Sequence, residues 1–492
     1  MASMNSARKY DSKSKVIVVV VPFVAQGHLN LLLHLSRLIA SYNLPVYFVG
    51  LSVDIAAVKR RIEGWAPSEY PTLRFHDVPA PPAYLSNINP TAESQSYMDF
   101  VAAAMNAAAY LRRPTGDLLR ELSSECERLV VVNDALMVNT VKDAAGAVGN
   151  LEIYNFYVGS AFHDASLVWE VLRKALHVPS FLWKLVGRFV LPAGAVIPDL
   201  LPTPSTCFSP DFFKFIVDQR NSHAVCNGNI YDSCRAIEGP YLDLLGMVYK
   251  LARKGPVWGI GPFNLVVTKQ TTKSQDDDDS SSKTPRHKCM EWLDKQPPKS
   301  VIFVSFGTQT ILSDHQLYEL AEGLEQSGQS FIWVVKDLTK GYKNTKIKLP
   351  AGFEERVEGR GLILRDWVPQ LEILEHVSTG GFLTHCGWNS CMESMCRGVP
   401  LATWPIQYDQ PRNAILITEV LKTGIPIRDW ERRDEIIRSS TIRNAIRRLM
   451  ASPEGEEVRN KAAQVGKAVK ESVMEGGISR LEMDSFIAQI TR

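Results

Sequence analysis

Short unbroken apolar runs alternate with longer stretches of helical spacing along the first half of the chain. Val16–Val21, Val46–Val49 and Leu129–Val132 are runs of the first kind, and His28–Tyr42 carries its leucines in the second pattern. An apolar run of this length without polar alternation predicts a strand buried on both faces. Such strands separated by helices predict a parallel sheet covered on both sides. Residues 264–286 break the pattern, with Thr, Lys, Ser and Gln around Asp276–Asp279 and almost nothing apolar. The alternation then restarts. Val301–Phe306, Phe331–Val335, Leu362–Leu364 and Gly380–Thr384 read as strands, and Ser313–Ser327 as a helix capped by Ser313. Another helix opens at Trp388 or Asn389, and Pro453–Ile490 reads as helices.

The predicted fold class is therefore α/β, with two doubly wound Rossmann-like domains facing across a cleft. The expected divisions are a flexible leader at 1–15, an N-terminal domain at 16–263 and a linker or mobile loop at 264–286. A C-terminal domain at 287–470 follows, with a helix at 471–492 packing back on the first. Ligands of such folds sit at the carboxyl ends of the strands, so the cleft can hold two substrates face to face.

A chain of 492 residues, 45% of them hydrophobic, is long enough for two such cores. Its formal charge of +2 provides no field for nucleic acid or anionic lipid. Eight scattered cysteines contain no CxxC, and Cys386, Cys391 and Cys396 cannot share one helix face at a spacing of five. Reduced thiols in a cytoplasmic protein fit this usage. No segment reaches the ~18 uninterrupted apolar residues of a membrane span. Val178–Leu201 comes closest, but Lys184 and Arg188 interrupt it.

The segment 367–410, WVPQLEILEHVSTGGFLTHCGWNSCMESMCRGVPLATWPIQYDQ, concentrates the candidate chemistry. Trp367 beside Gln370 suits a planar base with hydrogen-bonding edges. A strand ending at His385-Cys386-Gly387 runs into a helix opening with Trp388-Asn389-Ser390. Free N–H groups at such a helix end make a phosphate site. Glu393 shares a face with Asn389 and suits the two hydroxyls of a ribose, and Asp409-Gln410 suit a sugar. A second candidate, His28, opens a helix at the carboxyl end of the first strand, where it would face the cleft.

The 44-residue segment resembles the signature box of plant family-1 UDP-glycosyltransferases in its length, opening Trp, HCGWNS centre, Glu and closing Asp-Gln. That resemblance implies a fold of GT-B type, in which the N-terminal domain binds the acceptor and the C-terminal one the UDP-sugar. It implies that Trp367 and Val368 meet uracil, Gln370 the uridine, and His385, Asn389 and Ser390 the diphosphate. Glu393 would take the ribose, and Trp388, Asp409 and Gln410 the sugar; Thr308 matches a further phosphate contact. His28 would be the base that takes the acceptor proton and Asp134 its partner, with Asp143 as an alternative in principle. Imidazole can accept a proton near neutral pH, and a carboxylate behind the ring fixes its tautomer. The closing Gln goes with glucose as donor.

The whole chain is similar to the zeatin O-glucosyltransferase group, through stretches such as AQGHLNLLLHLSRLI (25–39), IEGPYLDLL (237–245) and QPRNAILITEV (410–420). The resemblance implies an inverting transfer from UDP-glucose to a hydroxyl of a small apolar acceptor, a zeatin-type cytokinin or else a flavonoid or other phenol. Phe156, Tyr157, Phe162 and Trp183 are candidates for the acceptor pocket. No cofactor or metal is expected, since Asp276–Asp279 sit among Ser, Thr and Lys with no strand before them. The expected partners are a UDP-sugar and a hydroxylated small molecule, with neither nucleic acid nor membrane, and the protein is expected to be a monomer. A nucleotide-dependent oxidoreductase is the rival enzyme class, weakened by the lack of GxGxxG after either first strand. A non-catalytic sugar-nucleotide binder is the other.

Overall fold

The computed structural model describes residues 14–60, 62, 65–82, 84, 97–176, 187, 190–222, 226–263, 265, 286–307, 310, 312–335 and 348–492. The expected leader and the 264–286 linker, with its aspartate run, lie almost wholly outside them, as do Thr308 and Trp183.

The first sheet is built from β1 (Ser14–Val21), β2 (Val46–Leu51), β3 (Leu73–Val78), β4 (Cys126–Asp134), β5 (Leu151–Tyr157), β6 (Gly228–Tyr231) and β7 (Val257–Gly259). All are parallel, in the order 3-2-1-4-5-6-7. The second sheet has β8 (Val301–Ser305), β9 (Ser330–Val334), β10 (Gly361–Leu364), β11 (Thr379–Thr384), β12 (Leu401–Thr403) and β13 (Gly424–Pro426). It is also all parallel, in the order 10-9-8-11-12-13. Counted from its own first strand, each sheet contains the order 3-2-1-4-5-6 of the doubly wound dinucleotide fold, to which the first sheet adds a seventh strand at its edge.

The unbroken apolar runs exist because each strand is packed on both faces. Val18 and Val20 of β1 enter one apolar layer, and Ile17, Val19 and Val21 the other. In β8, Ile302 and Val304 take one side while Val301 and Phe303 take the opposite one.

Six helices position the site: α1 (Gln26–Ala40), α2 (Val138–Ala147), α3 (Ala161–Leu176), α4 (Pro210–Asn221), α5 (Trp388–Arg397) and α6 (Gln410–Ile415). The helix anticipated at Ser313 runs Asp314–Ser327. The Ser313 hydroxyl accepts the Gln316 N–H at 3.2 Å, and Gly328 closes the helix in the left-handed region. Near the end of the chain, α7 (Pro453–Ser472) lies against α5, and α8 (Ile478–Thr491) crosses to the first sheet. There Met483, Phe486, Ile487 and Ile490 join the layer of Val18 and Val20.

The two units share an apolar cluster that joins Tyr157, Phe162 and Leu245 to Met395, Leu416 and Val469, and polar bonds cross beside it. The Trp388 indole N–H donates to the Asp232 carbonyl at 2.7 Å, and Asn389 Nδ2 to the Gly27 carbonyl at 3.2 Å. Arg412 of α6 is almost fully buried and donates to Ser166 at 2.6 Å, Glu170 at 2.8 Å and the Pro202 carbonyl. Beside it, the Ser160 hydroxyl donates to Asn413 at 2.8 Å. No described helix is long and apolar enough to cross a membrane.

Candidate active site

In the first unit the strand order reverses direction between β1 and β4, which pair up to Val21 and Asn133. Loops leaving two such strands diverge and open a crevice. One of them leads into α1, whose third residue is His28; the other begins at Asp134. His28 Nδ1 lies 2.7 Å from Asp134 Oδ2. The second carboxylate oxygen accepts the Leu136 N–H at 2.9 Å, which fixes the carboxylate plane. Asp134 is buried while the imidazole keeps 25% of its surface exposed, with Phe23 against it edge-on at 5.4 Å. Asp143 is committed elsewhere: it lies on α2 and takes two hydrogen bonds from Arg112.

In the second unit the same reversal falls between β8 and β11, and again an imidazole stands there. His385 sits between two glycines. A Cβ on Gly307 would lie 2.6 Å from the ring, and one on Gly387 would lie 2.5 Å from Nε2. Only hydrogen at both positions leaves room for it. Cys386, between His385 and Gly387, has φ 66, so the turn into α5 is sharp. Desolvation lowers the His385 pKa to about 4, so the ring is neutral at physiological pH and offers one N–H. The N-cap of α5 is Gly387, which has no side chain to occupy the first-turn N–H groups. Those of Trp388, Asn389 and Ser390 stand at the cleft wall, the arrangement that receives anions.

Around this helix end the rest of the 367–410 segment assembles. Trp367 is 58% exposed, the state of a ring with one face free for stacking. Val368 is buried beneath it. Gln370 Nε2 donates to Glu393 at 2.6 Å and to Ser390 at 3.3 Å, so the three groups form one preset polar edge. Asn389 Oδ1 is buried with no hydrogen-bond partner among the described residues. Gln410 gives its carbonyl oxygen to the N–H groups of Ile406 and Gln407, both at 2.9 Å, which leaves its amide NH₂ as the donor. Asp409 is held by Asn413 at 2.8 Å, and burial raises its pKa. Trp388 lines the cleft at the first turn of α5, while its side chain is largely buried and its indole N–H donates to the Asp232 carbonyl between the two units.

One continuous cleft of about 1580 Å³ joins the two halves and is lined by His28, Asp134, Trp367, His385, Glu393 and Asp409 among others. That exceeds the usual range of about 300–1,000 Å³ for one small ligand and leaves room for two. Of the aromatic residues expected in the acceptor pocket, Tyr157 lines the cleft, stacked on Tyr231 at 4.4 Å. Phe156 and Phe162 do not line it. Phe156 points to the opposite face of β5 and packs on Phe263, and Phe162 packs under α3 against Tyr241. The apolar wall comes instead from Phe208 and from Phe212, Phe213, Ile216 and Val217 of α4. Their i, i+1, i+4, i+5 spacing was the only sequence signal, and it is equally that of a core-facing helix.

The comparisons with known proteins agree with this geometry. Residues 14–182 and 188–265 match the family model described as glycosyltransferase, N-terminal domain. Residues 275–454 match that described as UDP-glucoronosyl and UDP-glucosyl transferase. Zeatin O-glucosyltransferase of Phaseolus lunatus is 44% identical over 488 residues, 98% of each chain. Zeatin O-xylosyltransferase of Phaseolus vulgaris is 44% identical over 98% of this chain and 99% of its own. Among solved structures, a UGT transferase from Siraitia grosvenorii in complex with UDP aligns with a TM-score of 0.73 at 26% identity, over 97% of this chain and all of that one. With two facing doubly wound units, a nucleotide-type helix end and matches along nearly its whole length, the chain belongs to the UDP-glycosyltransferase family of GT-B enzymes.

Proposed function

We propose that the enzyme transfers glucose from UDP-glucose to the side-chain hydroxyl of a zeatin-type cytokinin, with inversion and without a metal. The observation that carries this reading is the buried Asp134 carboxylate at 2.7 Å from His28, on the cleft wall shared with the α5 helix end. His28 takes the acceptor proton as the acceptor oxygen bonds to the anomeric carbon. The bond from that carbon to the diphosphate breaks, and UDP leaves with the electron pair. One direct displacement turns the α-linked donor into a β-glucoside. The α5 N–H groups, with the neutral His385 as a further donor, oppose the charge growing on the leaving diphosphate. Among the described residues no group of three or more His, Cys, Asp or Glu is placed to hold a metal ion.

Two 44%-identical relatives named for zeatin O-glycosylation support the acceptor, and they divide on the sugar, glucose in one and xylose in the other. The free NH₂ of Gln410 beside Asp409 supports glucose. A phenolic acceptor is the second reading, favoured by the Phe208, Phe212 and Phe213 wall. Eight free cysteines, seven of them buried, fit a reducing cytoplasm.

The test incubates the protein with UDP-glucose or UDP-xylose and either trans-zeatin or a phenol panel, with EDTA or added Mg²⁺. Expected are a hexose mass shift on zeatin, a β-anomeric proton signal and little effect of EDTA. An α-linked product overturns inversion. Loss of rate in EDTA, restored by metal, overturns the metal-free mechanism.

A further inference from the structure

Helix α3 turns His163, Leu167, Glu170 and Lys174 toward the cleft at helical spacing, with Asp164 beside them. Helix α4 brings Phe213, Ile216 and Val217 to the same wall and then, one turn on, Arg220. Arg220 Nη2 donates to Asp164 Oδ1, and the Tyr231 hydroxyl donates to Asp164 Oδ2 at 3.0 Å. The aromatic and aliphatic side chains of this wall thus surround an ion pair, a second one being formed by Glu170 with Arg412.

Its burial is one-sided. The Asp164 side chain is 8% exposed, whereas that of Arg220 is 40% exposed and stands on the cleft wall. Of the five N–H donors of a guanidinium, Arg220 spends one on Asp164 among the described residues. Burial alone would raise the Asp164 carboxyl, but Arg220 and its other neighbours outweigh it and hold the group below its ordinary value. Next to this pair the His163 ring is nine-tenths buried, and its Nδ1 has no hydrogen-bond partner among the described residues. Burial lowers its pKa to about 3, so it is a neutral ring with one donor and one acceptor.

A pair kept for stability alone has little reason to look like this. Buried ion pairs contribute little net stability, and a structural one satisfies its donors within the protein. Here the spare guanidinium donors lie along the space where an acceptor must sit, and the His163 ring lines that space while its unpartnered Nδ1 is itself buried. A guanidinium donates in plane to the acceptors of a heteroaromatic ring, as it does to N7 and O6 on a guanine edge. The carboxylate beside it has lone-pair capacity for a ring N–H. Phenols and hydrocarbon-faced acceptors would leave these groups desolvated and unpaired, which is what makes such an edge selective.

We propose that His163, Asp164 and Arg220 form the hydrogen-bonding edge that reads a nitrogen heteroaromatic acceptor, a purine carrying the hydroxylated chain, and that discriminates it from phenols of similar size. The inference rests on the reading of the acceptor as a hydroxylated purine, and it assigns that recognition to three residues.

The experiment compares kcat/KM for trans-zeatin and for 4-hydroxystilbene, a phenol without ring nitrogen, in the wild type and in Arg220→Met. Calorimetry with UDP serves as the check on folding. The expected result is a loss of about 10- to 100-fold on zeatin, carried mainly in KM, the scale of a lost charged hydrogen bond. The phenol should change by less than about threefold, and UDP affinity should not change. If Arg220→Met fails to bind UDP, Arg220→Lys is read in its place with the same outcomes, since it keeps Asp164 paired and removes the planar fork. Equal losses on both acceptors, or an unaltered rate on zeatin, overturn the proposal while the acceptor reading stands. A wild type that leaves zeatin untouched overturns the acceptor reading, and the proposal with it.

Discussion

His28 and His385 both stand beside a strand pair where a sheet reverses direction, His28 after the first strand of its unit and His385 after the fourth strand of its own. Their surroundings differ in one respect that decides their chemistry. His28 has a buried carboxylate at 2.7 Å and an open face; His385 has glycines on two sides and no carboxylate among its hydrogen-bond partners. A ring backed by a carboxylate is stabilised when it takes a proton, whereas a desolvated ring without one resists protonation. The same side chain on the same topology therefore suits a base in one unit and a neutral donor in the other. Position in the fold supplies the place, and the neighbouring strand end supplies the role.

The largest effect that would break this contrast concerns the base. His28→Ala is expected to lower turnover by about 10²–10⁴-fold, with UDP affinity unchanged in calorimetry. Near-normal turnover would remove the distinction between the two rings. His385→Ala is expected to slow transfer by about 10²–10³-fold, the cost of one lost anion donor, and to weaken UDP binding as well.

Its pH behaviour sharpens the same point. The folded-state pKa of about 4 lies below the unfolded value near 6.5, so the unfolded chain binds the proton first as pH falls. The stability tied to the neutral ring is complete above about pH 6.5 and declines from there toward pH 4. His385→Gln should therefore lose less melting temperature between pH 7 and pH 5 than the wild type. It should also leave the acid limb of the rate profile in place, because His385 is already neutral there.

Smaller effects come from the glycines. Gly387→Ala places a methyl carbon 2.5 Å from His385 Nε2, and the displaced ring should lower kcat/KM by up to about 10²-fold. Gly27→Ala, in the loop after β1 of the first unit, meets only Asn389 Nδ2 at 3.2 Å. A change of no more than about threefold is expected. A larger loss there would mean that the first loop is as tightly fitted as the second.

Much of this was legible in the sequence because the signals were local. The runs at 16–21 and 301–306 marked β1 and β8, and the 367–410 segment carried its own spacing. Short strands such as β6, β7, β12 and β13 have only three or four residues and leave no periodicity to read. The acceptor wall was misjudged for a different reason. Phe156 and Tyr157 are adjacent, yet alternation along β5 sends one to the core and the other to the cleft, and nothing local says which. The hydrogen bond from the Trp388 indole gave no local signal because its partner, the Asp232 carbonyl, lies 156 residues earlier. Asp164 and Arg220, 56 residues apart on separate helices, gave no motif at all.

The crossing of α8 back to the first sheet has a consequence for how the chain is made. Phe486 fills a space between Tyr154 and Trp258, with ring centroids at 5.5 and 5.4 Å, and Ser485 accepts the Trp258 indole N–H at 3.3 Å. On a ribosome these residues emerge only after the entire second unit has been synthesised. At about 5–20 residues per second the wait is on the order of 10–40 s. Throughout it, the flank of the first sheet that receives Met483, Phe486, Ile487 and Ile490 stays open to water and to chaperones. The first unit to emerge is therefore the last to close, and a nascent chain stalled after residue 470 would carry an exposed apolar flank however well its donor half had folded.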